Sequence, residues 1–101
     1  MAKRKTRNAL EMIRRDVGED ARHRAMVEEE LLNAHIAQRI YDLRTAAGLT
    51  QQRLADLVGT SQSAIARLED ADYEGHSLKM LRRIAEVLKM RVEVRLVPMG
   101  R

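Results

Sequence analysis

The chain has 101 residues, no cysteine, 2% aromatic side chains and a formal net charge of +4. It therefore has room for one small domain plus an appendage, without disulfides or thiolate metal sites, around a core of Leu, Ile, Val, Met and Ala that suits packed helices. No apolar run is long enough to cross a bilayer, and no apolar stretch with a cleavage site follows the basic start "MAKRKTR", so a cytoplasmic protein is expected.

Leu10, Ile13 and Val17 recur at i, i+3 and i+7 ahead of Gly18, the pattern of a short amphipathic helix. A helix of about 11 residues is marginal alone in water, so this face needs a cover. One reading makes Leu10, Ile13 and Val17 a partner-binding face that folds into another protein's groove. The others are a solvated extension and contact of "KRKTR" with DNA backbone. Charge divides this region in two: residues 1–15 carry Lys3, Arg4, Lys5, Arg7, Arg14 and Arg15 against Glu11, whereas residues 16–33 are net acidic. Asp20 is placed to cap a second helix that meets no breaker before Gly48. Its stripe, Leu32, Ile36, Ile40, Leu43 and Ala47, meets Glu28 and Glu29 one turn earlier. The compact core is thus expected to begin near Leu31, leaving residues 1–30 as an N-terminal helical extension.

After Gly48, Thr50 can cap a helix running to Val58 with Leu54, Leu57 and Val58 inward, and Gly59 suits the left-handed residue that ends it. Thr60 or Ser61 caps the next helix, with Ala64, Ile65 and Leu68 inward. Two helices of about two turns joined around a glycine make a helix-turn-helix pair. "DADYEGH" reads as a loop, and Ser77 caps a helix bearing Leu78, Leu81, Ile84, Ala85 and Leu88, which completes a domain over residues 31–88. In residues 89–101, Met90, Val92, Val94 and Leu96 alternate with Arg91, Glu93, Arg95 and Val97 before Pro98, a strand pattern. A lone strand needs a partner. Antiparallel pairing with a second copy would give a two-fold homodimer, and addition to another protein's sheet is the alternative. The expected fold class is all-α: a compact helix-turn-helix domain with an N-terminal helical extension and a C-terminal β-strand for dimerisation.

"LVGTSQSAIA", residues 57–66, carries no charge in a chain that is 34% charged. If Ile65 and Leu68 face inward, Gln62, Ser63, Ala66 and Arg67 face outward. A merely solvated face would normally carry Glu and Lys, whereas base edges in a major groove call for small, amide and hydroxyl side chains with a guanidinium. Gln62 can pair with adenine and Arg67 with guanine, while Ser63 and Ala66 can approach a base edge or a thymine methyl. Thr60, Ser61 and Gln51 suit phosphates. The duller reading pairs Arg67 with Asp70 and leaves the face idle. A two-fold dimer would set two such helices about 34 Å apart on a palindromic operator. Nothing indicates catalysis: no nucleophile with a base, no phosphate-cradling glycine loop. His23, His35 and His76 include no i, i+4 pair, so neither metal nor cofactor is expected.

The stretch "LRTAAGLTQQRLADLVGTSQSAIARLE", residues 43–69, resembles the phage-repressor and Cro-like helix-turn-helix family, also called XRE. Leu49, Thr50, Gln51, Leu54, Ala55, Val58, Gly59, Ser61, Ile65 and Glu69 fall on its pattern. The resemblance spans roughly residues 31–88. It implies phosphate binding at Gln51 and base reading at Gln62, Ser63, Ala66 and Arg67, in a nucleoid-associated protein. A strand where a fifth helix is usual, and the N-terminal extension, resemble antitoxins of the HigA and HipB type. That implies a regulator which represses its own toxin-antitoxin operon and binds a toxin; a stand-alone XRE-type repressor is the alternative.

Overall fold

The computed structural model describes residues 18–99, which form four α-helices: α1 (Gly18–Ala46), α2 (Gln51–Val58), α3 (Gln62–Leu68) and α4 (Leu78–Val87). Leu10, Ile13 and Val17 lie outside the described residues. No described helix is long and apolar enough to cross a membrane.

Local chemistry sets the helix ends. No proline and no internal glycine interrupts α1 after Gly18, and its 29 residues run about 43 Å at 1.5 Å per residue. It begins two residues before Asp20, which therefore sits in the first turn, where a carboxylate favours the helix dipole, rather than at the cap. Gly48, at φ +74°, ends it: the Gly48 N–H donates to Thr45 O at 3.0 Å and the Leu49 N–H to Arg44 O at 3.1 Å, a Schellman motif. Thr50, Ser61 and Ser77 each accept a hydrogen bond from the backbone N–H three residues on, at 3.0 to 3.1 Å, and so start α2, α3 and α4. Of the two candidate caps for α3, Ser61 takes the role. Gly59, at φ +84°, donates its N–H to Ala55 O at 2.8 Å and turns the chain from α2 into α3.

The core gathers Ile40 of α1, Leu54, Ala55 and Val58 of α2, Ile65 and Leu68 of α3, and Ile84 and Leu88 at α4. Leu54, Ala55 and Ile65 have no exposure. Only the C-terminal half of α1 joins them. Met26, Val27, Leu31 and Leu32 are exposed, so burial on this helix begins in earnest near Ile36, a turn later than expected. Leu57 and Leu78, expected inward, are also exposed, at 46% and 47%. The reason is angular. The buried face of α2 centres on Leu54, Ala55 and Val58, and at about 100° per residue Leu57 points roughly 105° from that centre, beyond the apolar stripe; Leu78 is similarly displaced from Ile84.

The C-terminal strand is a correction. Among the described residues there is no strand; the chain after α4, through Met99, has no regular structure, and Met90, Val94 and Leu96 are exposed with Val92 half-buried. A ladder exists only between two strands, and one copy of this chain supplies no second one. At the end of α4 stands a second Schellman motif, built on a non-glycine residue. Lys89 adopts φ +57°, its N–H donates to Glu86 O at 3.1 Å, and the Met90 N–H donates to Ala85 O at 2.7 Å.

Candidate nucleic-acid interface

Burial of Ile65 and Leu68 against α2 fixes the rotation of α3, and with it the face shown outward. Gln62, Ser63 and Arg67 are exposed and Ala66 is half-buried. At i, i+1, i+4 and i+5 they share one side of the helix. Thr60, half-buried, and Ser61, exposed, precede them in the turn. The Ser61 hydroxyl accepts the Ala64 N–H at 3.1 Å and meets the Ser63 hydroxyl at 3.2 Å. Six of the seven expected DNA-facing residues thus lie in one contiguous turn and helix face.

The seventh, Gln51, joins them from α2. Gln62 Nε2 donates to Gln51 Oε1 at 2.6 Å, and Gln51 Nε2 in turn donates to Glu69 Oε1 at 3.1 Å. Glu69 ends this relay in the arms of Arg44: Arg44 Nε donates to Glu69 Oε2 at 2.6 Å and Nη2 to Oε1 at 3.0 Å. The pair is nearly dry, with side-chain exposures of 10% and 4%. Arg44 Nη1 also donates to Leu49 O at 2.7 Å, and its guanidinium lies 5.4 Å from the Tyr41 ring centre. The Glu69 hydrogen bond raises the Arg44 pKa above its ordinary value; burial opposes this, and the nearby Glu69 charge adds to it.

The consequence is a pre-set amide. One Gln62 N–H is spent on Gln51, leaving its other N–H and Oε1 exposed as one donor and one acceptor. Holding the side chain beforehand lowers the rotamer entropy lost on binding. Arg67, by contrast, makes no ion pair among the described residues. Its expected neighbour Asp70 instead accepts the Asp72 N–H at 2.9 Å and stabilises the loop after α3. The guanidinium of Arg67 is therefore available to a ligand.

Three supporting contacts were not legible from the sequence. Glu69 belongs to the recognised pattern, but nothing in linear spacing pairs it with Arg44, 25 residues away. Arg83 of α4 donates through Nη2 to Val58 O at 2.6 Å and more weakly to Gly59 O at 3.4 Å, clamping the end of α2 where the chain turns into α3. His76 Nε2 lies 2.7 Å from Leu68 O, so Nε2 carries the proton and holds the loop against the end of α3; Tyr73 packs edge-on against its ring at 5.2 Å. Among the described residues no three His, Asp or Glu side chains gather as a metal site would require.

The helix-turn-helix family model HTH_3 matches residues 40–94. A crystal structure of FeII HppE in complex with substrate is similar over 58% of this chain at 27% identity, with a TM-score of 0.54. The match covers 34% of that chain, so this protein spans about a third of its length. No curated protein sequence matches.

Proposed function

Because the chain belongs to the helix-turn-helix family, in its XRE-type branch, we propose that it is a sequence-specific DNA-binding transcriptional regulator without catalytic activity of its own. The observation that carries this is the outward face of α3, polar and uncharged but for Arg67, with Gln62 held by Gln51 and Gln51 by Glu69. Gln62, Ser63, Ala66 and Arg67 read base edges; Gln51, Thr60 and Ser61 meet phosphates. The test is selection of a preferred duplex from a random library, followed by Arg67→Ala on that duplex. A loss of about 1–3 kcal/mol with relaxed preference at one base pair supports the reading. Equal binding of all sequences by the wild type refutes it.

The finer proposal is an antitoxin that represses its own operon as a homodimer and binds a toxin. The exposed apolar side chains of Met90, Val94 and Leu96, beside half-buried Val92, favour burial against a second copy. Light scattering on the full chain should give twice the 11.6 kDa chain mass, falling to one chain for Val92→Lys/Val94→Lys. Leu10, Ile13 and Val17 are the proposed toxin-facing residues. Capture of a neighbouring gene's product by the full chain, lost on replacing those three by Ser, supports this; capture of no such protein supports a stand-alone repressor instead.

A further inference from the structure

Two surfaces outside the reading face complement one another. The first is a groove between α1 and the loop after α3, with a volume of about 460 Å3. Val27, Leu31 and Ala34 line its α1 wall at i, i+4 and i+7, and Glu30, Asp72 and Glu74 stand around it. Leu31 is 64% exposed, and the three carboxylates are exposed and make no ion pair with another described residue. The second is the segment after α4, where Val94 is 66% and Leu96 97% exposed. Arg95, between them, makes no ion pair with another described residue, and Lys89, Arg91 and Arg95 outnumber Glu93, so this tail is apolar and basic where the groove is apolar and acidic.

We propose that the groove is the docking site for the C-terminal segment, residues 91–97, of a second copy of this chain, exchanged reciprocally across a two-fold axis. The proposal rests on the homodimer reading and adds to it the surface that each tail meets; it does not depend on what α3 reads. Charge, spacing and symmetry all match. An acidic rim around an apolar floor attracts the basic tail and sets which way it lies. Val27 and Leu31 stand about 6 Å apart along the α1 axis, and alternate side chains of an extended segment about 6.6 Å apart, so Val94 and Leu96 seat over them. Arg95, on the other side of the segment, lays its aliphatic stem back and brings its guanidinium to the rim. Reciprocal exchange makes the contact twice and closes the assembly at two chains, whereas one-way docking would leave a free tail and a free groove to add further copies. Helix and loop side chains form the groove, so the docked tail needs no β-ladder.

The test uses the full chain at a concentration where light scattering shows the wild type as a dimer. The groove variant Glu30→Lys/Asp72→Lys/Glu74→Lys and the tail variant Arg91→Glu/Arg95→Glu should each run as single chains, because like charges then face one another and raise the dimer dissociation constant about tenfold or more. Mixed in equal amounts, the two should form a one-to-one heterodimer, resolved by native mass spectrometry: each tail again meets a groove of opposite charge, and misfolded variants would not pair. A groove variant that stays dimeric overturns the proposal and leaves the homodimer reading standing, with the tails buried against each other instead. A mixture that stays monomeric also overturns it. A wild type that is a single chain at every concentration overturns both this proposal and the homodimer reading.

Discussion

Replacing Arg44 by Met tests whether the domain, and with it the outward face of α3, rests on a buried ion pair. The Arg44–Glu69 pair has two N–H···O bonds at 2.6 and 3.0 Å and side chains only 10% and 4% exposed. Arg44→Met leaves the Glu69 carboxylate desolvated with one remaining donor, Gln51, and also strips Leu49 O of its side-chain donor. Removing one member of such a pair costs about 3–5 kcal/mol, against about 0–1 kcal/mol for an exposed pair. In a domain whose total stability is of order 5–15 kcal/mol, a loss of about 3 kcal/mol lowers Tm by roughly 12–24 °C. Urea unfolding followed by far-ultraviolet circular dichroism measures it. The double replacement Arg44→Met/Glu69→Leu removes both charges and should recover most of the loss, because an apolar pair needs no compensation. A loss below about 1 kcal/mol for Arg44→Met, or a double variant no better than the sum of the singles, would refute the assignment. The raised pKa of Arg44 adds stability that is fully present below the ordinary arginine value and fades only as pH climbs past it. Arg44 therefore adds no slope to stability between about pH 6 and pH 9.

Gly59→Ala forces an L residue to φ +84° and brings a Cβ within 3.1 Å of Arg83 Nη2, whereas Gly48→Ala meets only the strain of φ +74° in open space. Thermal melts should show a loss of about 1–2 kcal/mol at Gly48 and a larger one at Gly59. Lys89 holds φ +57° without being glycine, so Lys89→Gly should raise Tm, by a stabilisation of up to about 1 kcal/mol. Leu54→Ala empties a fully buried site and should cost about 2–5 kcal/mol in urea unfolding. On the preferred duplex, Gln51→Ala and Gln62→Ala should each weaken binding, and their double-mutant cycle should depart from additivity by at least about 0.5 kcal/mol, since each removes the same 2.6 Å contact.

Much of this protein is decided locally, which is why it can be read along the chain. Thr50, Ser61 and Ser77 cap with their own side chains, Gly48 and Gly59 take up left-handed turns, and the spacing of Leu54, Val58, Ile65 and Leu68 orients two short helices. The caps and turns span at most five residues, and the apolar spacing repeats within each helix, so sequence order carries them. Orienting α3 also picks out Gln62, Ser63, Ala66 and Arg67 as its outward face, before any contact is known. Tertiary structure decided the rest. It sent Leu57 and Leu78 outward, because a helix buries only the arc that its neighbours reach. It left residues 91–99 without a ladder, because a strand is a property of two segments rather than one. It joined Arg44 to Glu69 and Arg83 to Val58, each across 25 residues, where no periodicity connects them. Residue type and period set what each helix can present; only packing in three dimensions brought Gln62, Gln51, Glu69 and Arg44 into one hydrogen-bonded line.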